Sequence, residues 1–117
     1  MIEFDDQPPM SPAADAWAES VLIKSDKYRK GKYSNFFQYG TDKAQRIYAF
    51  PKQIDINNIF LFNIHGGAWE FGYPEWMLFT YEYFKNYNLN MVVPGYRLAP
   101  KSKFKEQVED INTSINF

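Results

Sequence analysis

Ile59-Phe60-Leu61-Phe62-Asn63-Ile64-His65-Gly66-Gly67-Ala68-Trp69 is the stretch whose reading decides the fold. Its first six residues form an apolar run without alternation. Such a run suits a strand covered on both faces, as in a parallel sheet. Two adjacent glycines follow at the carboxyl end, where they let the backbone turn sharply and leave amides unshielded. Ligands of open α/β sheets bind at that edge. Amides exposed there can face developing negative charge, such as the oxyanion of a tetrahedral acyl-transfer intermediate. Gly67 and Ala68 are the candidate donors, His65 holds the loop by hydrogen bonding, and Trp69 walls the pocket. A lone Gly-Gly after a strand is common, so the flanking sequence has to carry the rest.

Downstream, Pro74 opens a stretch with Trp76, Phe79, Tyr83 and Tyr87 at helical spacing, which closes in Asn86-Tyr87-Asn88. Residues 89–93 read as a second strand. A helix is predicted after Ser102, where Phe104, Val108, Ile111 and Ile115 make the cleanest amphipathic stripe in the chain. Strand, helix, strand, helix is a βαβα unit, which makes the two strands parallel neighbours joined by a right-handed crossover.

Upstream, Asn57-Asn58 precede the apolar run, and Arg46 to Phe50 reads as a short strand ending at Pro51. Tyr39-Gly40-Thr41-Asp42 is a turn. Ser11 and Pro12 combine a side-chain N-cap with a proline at the first helical position. Ala14, Trp17, Val21 and Tyr28 recur on one face of that helix, with Ala18, Leu22 and Ser25 beside them. Lys27, Arg29 and Lys30 fall in its last turn, and Gly31 supplies a stop. Residues 1–30 are thus an N-terminal loop and helix, and 40–117 carry the strands, in one partial domain spanning 1–117.

Thirteen Lys and Arg stand against fourteen Asp and Glu. That balance argues against a dedicated nucleic-acid or anionic-membrane binder, and the basic run interleaved with Tyr28 and Tyr33 reads as a solvated helix end. Without cysteine there is no disulfide framework, Cys zinc site or Cys nucleophile. His65 with Glu70 or Glu75 is not a metal-ligand set of the usual kind, and no cofactor is expected. The acidic start lacks a secretory signal's basic and apolar regions, and no stretch reaches transmembrane length. The expectation is a cytoplasmic protein.

Tyr96-Arg97-Leu98-Ala99-Pro100 follows the second strand, with Gln107 and Asp110 on the helix after it. The HGGAW and YRLAP segments in this order resemble the α/β-hydrolase superfamily, particularly its HGG-type esterase and lipase branch. Ala16-Trp17-Ala18, the Tyr39-Gly40 turn and Gln45-Arg46-Ile47-Tyr48 resemble the lead-in of bacterial arylformamidase (kynurenine formamidase-like) proteins. The resemblance implies an α/β fold, the N-terminal part of a mostly parallel sheet with flanking helices, truncated before the nucleophile strand. It implies an oxyanion hole at Gly66, Gly67 and Ala68, and a structural role for Tyr96, Arg97 and Asp110. Arg97 is expected to pair with Asp110.

Acyl transfer in such folds needs a serine on a G-x-S-x-G elbow, then Asp or Glu, then His. None of Ser11, Ser20, Ser25, Ser34, Ser102 or Ser114 has that context, and His65 is the chain's one histidine. No triad member is therefore assigned. The expected function is the N-terminal portion of an ester or N-formyl amide hydrolase, inactive alone. Its alternative is a non-catalytic module binding an anion or carboxylate. The expected partners are a small ester or formamide in the complete enzyme, and a complementary C-terminal fragment or a second copy. Either would meet the apolar edge left bare along 59–64.

Overall fold

A computed structural model describes residues 4, 7–29, 31–51 and 59–117. Helix α1 (Pro12–Ser25) begins where expected: Ser11 is extended, and its hydroxyl accepts from the Ala14 amide. The α-helix ends at Ser25, before Gly31, and a 3₁₀ turn at Asp26–Tyr28 carries the chain on. Ser25 is buried, and its hydroxyl accepts from the Phe79 amide at 2.9 Å, which ties the helix end to the later crossover. Of the basic run, Lys30 lies outside the described residues, as do Asn57 and Asn58 ahead of the apolar run.

The sheet has four strands among the described residues: β1 (Asn35–Gln38), β2 (Arg46–Phe50), β3 (Phe60–Phe62) and β4 (Asn90–Pro94), in the order β1-β2-β4-β3. The expected parallel neighbours are present, with Phe60 opposite Asn90 and Phe62 opposite Val92. The expectation of a mostly parallel sheet is corrected: β1 pairs β2 antiparallel, and β2 pairs β4 antiparallel. The cause is local. The turn after β1 is short and stapled, with Tyr39 N–H donating to Gln45 O and Gln45 N–H to Asp42 O, so the chain reverses as a hairpin. The sequence reading had no strand at β1, whose exposed residues carry no alternation signal.

Every residue of β4 is buried, as suits a central strand. Tyr48 and Phe50 of β2 join Met91 and Val93 of β4 in the main core, closed by Tyr28 and Leu78. Burial of such large side chains stabilises by roughly 1.5–3 kcal/mol each. The apolar run at 59–64 departs from its expected burial on both faces. Only β3 is regular strand, and Phe60 is 56% exposed, because β3 is the sheet's edge and pairs on one side.

The crossover from β3 to β4 is not the continuous helix expected. It runs as 3₁₀ turns at Pro74–Trp76 and Leu78–Thr80, then one α-turn, α2 (Tyr81–Phe84). Trp76 and Phe79 stand three apart, a spacing that a 3₁₀ turn satisfies as well as an α-helix. The tighter path also delivers the Glu75 carboxylate to the Arg46 guanidinium. The last helix, α3 (Phe104–Asn116), has the expected length, with the Lys103 amide donating to Glu106 at its start. Its buried residues, however, are Gln107, Asp110 and Ser114. The apolar stripe points outward, with Phe104 62% and Ile115 52% exposed. No described helix is long and apolar enough to cross a membrane.

Candidate functional site

β3 delivers the chain into the loop at residues 65–72. Gly67 has φ +128°, and Ala68 and Trp69 have φ 54° and 63°, in the left-handed region that residues with a Cβ seldom adopt. A Cβ on Gly67 would lie 2.1 Å from Phe71 O, so only glycine fits this turn. The loop closes on itself, with the amides of Glu70 and Phe71 donating to Gly67 O at 3.1 and 2.9 Å. No described residue accepts a hydrogen bond from the amides of Gly66, Gly67 or Ala68. Strained backbone held in place by its surroundings, with free donors, is the kind of feature that clusters at binding sites.

His65 is buried and stacked on Tyr96, ring centroids 4.4 Å apart and planes 10° off parallel. Its Nδ1 lies 2.8 Å from Gly66 O. A carbonyl only accepts, so Nδ1 carries the proton. Burial lowers the imidazole's pKa to about 4, partly opposed by that hydrogen bond, so the ring is neutral at physiological pH. Tyr96 Oη donates to His65 O at 2.9 Å and steadies the loop's entry. Its middle is held at Trp69 O, which accepts from the Ala99 amide and from Gln107 Nε2, each at 2.9 Å. Trp69 itself is exposed and meets Phe104 edge-on at 5.8 Å.

A groove of about 400 Å³ runs beside these amides, walled by Ile64, Trp69, Phe104, Val108 and Ile111. The site thus joins unpaired donors at one end to an apolar trough along α3. The loop residues, Gln107 and Ala99 all stand in the segments quoted from the sequence, but the trough and the tethers of Gln107 and Ala99 to Trp69 O emerge only in the fold.

Arg97 and Asp110 form a paired, multidentate contact. The Asp110 carboxylate accepts from Arg97 Nε and from the Arg97 amide, both at 2.9 Å to Oδ2, and from Arg97 Nη2 at 2.8 Å to Oδ1. Gln45 Nε2 adds a donor at 2.9 Å. Burial would raise the Asp110 pKa, but these donors outweigh it and hold the carboxyl below its usual range. The group fastens the loop after β4 to α3 and does not enter the groove.

Glu75 is 0% exposed and meets Arg46, 3% exposed, through two bonds of 2.8 and 2.7 Å; it also accepts from Tyr48 Oη at 2.8 Å. Its carboxylate is therefore committed to the core. Among the described residues no group of three or more metal-ligating side chains assembles.

Residues 61–117 match a family model described as the alpha/beta hydrolase fold. Nearly the whole chain, 97%, superposes on 44% of a candidate thioesterase from Silicibacter sp. tm1040, with a TM-score of 0.77 at 16% identity. Esterase B from Lactobacillus rhamnosis matches with a TM-score of 0.61 at 20% identity, over 87% of this chain and 36% of that one. The same esterase inhibited by a tributyrin phosphonate matches with a TM-score of 0.62 at 20% identity, over 91% and 40%. This chain spans less than half the length of these structures. No curated protein matches its sequence. The family match from β3 onward and the structural likeness over most of the chain agree on one fold, that of the α/β hydrolases.

Proposed function

We propose that residues 65–69 are the oxyanion-binding loop of an ester or N-formyl amide hydrolase, and that this chain supplies that loop without the nucleophile. The observation carrying the reading is the set of unpaired amides at Gly66, Gly67 and Ala68, beside an apolar trough that suits an acyl or aryl group. Preorganised N–H donors aimed at developing charge are a large catalytic term in acyl transfer. His65 and Trp69 support and wall the loop, while Tyr96, Arg97 and Asp110 brace it. Neutral His65 has its one protonated nitrogen turned to Gly66 O, which suits a brace and not a base.

No residue of this chain stands in a G-x-S-x-G context, so the chain alone binds and does not turn over. Turnover requires a complementary C-terminal segment bearing that elbow and a histidine. The open edge of β3 and the outward stripe of α3 are the surfaces it would cover. Without it, the same edge promotes self-association. A short-chain chromogenic ester tests this directly: the chain alone leaves p-nitrophenyl butyrate intact, and activity emerges on co-expression with such a segment. Turnover by the chain alone, lost on substituting one of its serines, would overturn the reading.

A second reading is favoured by the same free donors: a non-catalytic pocket for a carboxylate. Titration of butyrate into ¹⁵N-labelled chain is expected to shift the amides of Gly66, Gly67 and Ala68. If co-expression never yields turnover while those shifts persist, the binding-module reading replaces the hydrolase one.

A further inference from the structure

We infer that Gln7 is a positioning residue for the anion-facing amides, and that residues 7–10, ahead of α1, are a strap holding the exit of the loop. This rests on the reading of residues 65–69 as an oxyanion or carboxylate site. Gln7 lies far from the loop in sequence, yet its side-chain amide engages both polar groups of a single backbone residue. Gln7 Nε2 donates to Gly72 O at 3.0 Å, and the Gly72 amide donates to Gln7 Oε1 at 2.8 Å. A carboxamide presents one donor and one acceptor side by side, as a peptide unit does, so the contact imitates one rung of a β-ladder.

Gly72 transmits this contact inward. Its φ is +110°, and a Cβ there would stand 2.5 Å from His65 Nδ1 and 2.7 Å from Gly66 O. The Gly72 backbone therefore lies flush against the imidazole and the carbonyl that define the loop's entry. The loop leaves β3 at His65 and returns to the same place at Gly72, with the free amides of Gly67 and Ala68 on the arc between. Tyr96 holds the entry and Gln107 the middle. Gln7 is the side chain that holds the exit among the described residues. Its segment is anchored beside that point, since the Phe4 ring packs 4.8 Å from the Tyr73 ring and Arg29 lies 5.5 Å over Phe4. Gln7 and Gly72 line a cleft of about 340 Å³ that shares the His65 and Tyr96 walls with the apolar trough, but neither of them lines the trough itself, so Gln7 acts through the backbone without touching a ligand there.

The test compares Gln7→Ala and Gln7→Glu with the unaltered chain by two readouts. The first is hydrogen–deuterium exchange across residues 65–72, with β4 and α3 as internal standards. The second is butyrate affinity from amide shifts. Gln7→Ala removes both bonds and is expected to speed exchange in the loop alone and weaken butyrate about tenfold. Gln7→Glu keeps an acceptor for the Gly72 amide but loses the donor to Gly72 O, and should fall between the two. Unchanged exchange at 65–72 in Gln7→Ala overturns the strap. Faster exchange with unchanged butyrate affinity overturns its positioning role. If the unaltered chain binds no butyrate, the anion-site reading falls, and with it the positioning role; the exchange comparison then still decides whether the strap holds the loop.

Discussion

The loop at 65–69 and the 3₁₀ turn at Pro74–Trp76, both within the β3–β4 crossover, are built on opposite principles. In the turn, the buried Glu75 seals against Arg46 and Tyr48, with its carboxylate satisfied from two sides. In the loop, the amides of Gly66, Gly67 and Ala68 find no acceptor among the described residues, and α3 turns Phe104 and Val108 to solvent. The sealed end has what stabilises a fold: paired charges in a dry, close-packed interior. The open end has what binds something else, namely unspent donors and apolar area. Stability and binding capacity are therefore separated within one small sheet, so substitutions at the two ends should affect different measurements.

The largest effect is expected at the sealed end. Glu75→Ala removes the carboxylate that accepts two bonds from the buried Arg46 guanidinium, which should cost about 3–5 kcal/mol in urea unfolding. Replacing both residues by apolar ones of similar size, Arg46→Met with Glu75→Leu, should restore most of it. A single-variant loss under about 1 kcal/mol would break the comparison, since the pair would then not be what seals this end.

Next comes His65, which sits where the two ends meet. Its folded pKa of about 4 lies below the unfolded value of 6.5, so on acidification the unfolded chain takes up the proton first. Stability from this group is full above pH 6.5 and is lost as pH falls through about 4, a decline on the order of 3 kcal/mol. Unfolding from pH 8 to 4 in the parent and in His65→Gln isolates it: the variant should lack that part of the slope. Equal slopes would mean the ring is hydrated rather than buried.

Asp110→Ala should cost about 2 kcal/mol, because it strips a nearly buried acceptor from Arg97 and Gln45 while Arg97 stays partly solvated. A change of only a few tenths of a kcal/mol would reduce the pair to surface decoration.

The smallest stability effect is expected at the open end. Phe104→Ser with Val108→Thr should move the unfolding free energy by less than about 0.5 kcal/mol, yet reduce self-association in sedimentation velocity. A large loss of stability instead would show that the α3 stripe is already packed.

Several elements could be read from residue types because their signals are local. Ser11 and Pro12 start α1, Arg46 to Phe50 is β2 to the residue, and the HGGAW and YRLAP segments fall on the loops that follow β3 and β4. Other features were not legible. β1 has four exposed residues and no alternation, so nothing in its sequence separates it from a loop. The stripe on α3 announces a helix, but periodicity reports that a face is apolar and not what covers it. The Arg46–Glu75 pair joins residues that each look like surface charges, and the Gln7–Gly72 contact spans most of the chain.

By itself, then, the sequence determined the helix start at Ser11 and Pro12, the strand at 46–50 and the glycine turn at Gly66 and Gly67. These depend on the conformational range of single residues and on short-range spacing. Only the tertiary structure decided which carboxylate is consumed by the core and that β2 runs antiparallel to β4. Those outcomes depend on contacts between segments far apart in the chain, and pairing at a distance is selected by the total burial and hydrogen bonding of the folded whole.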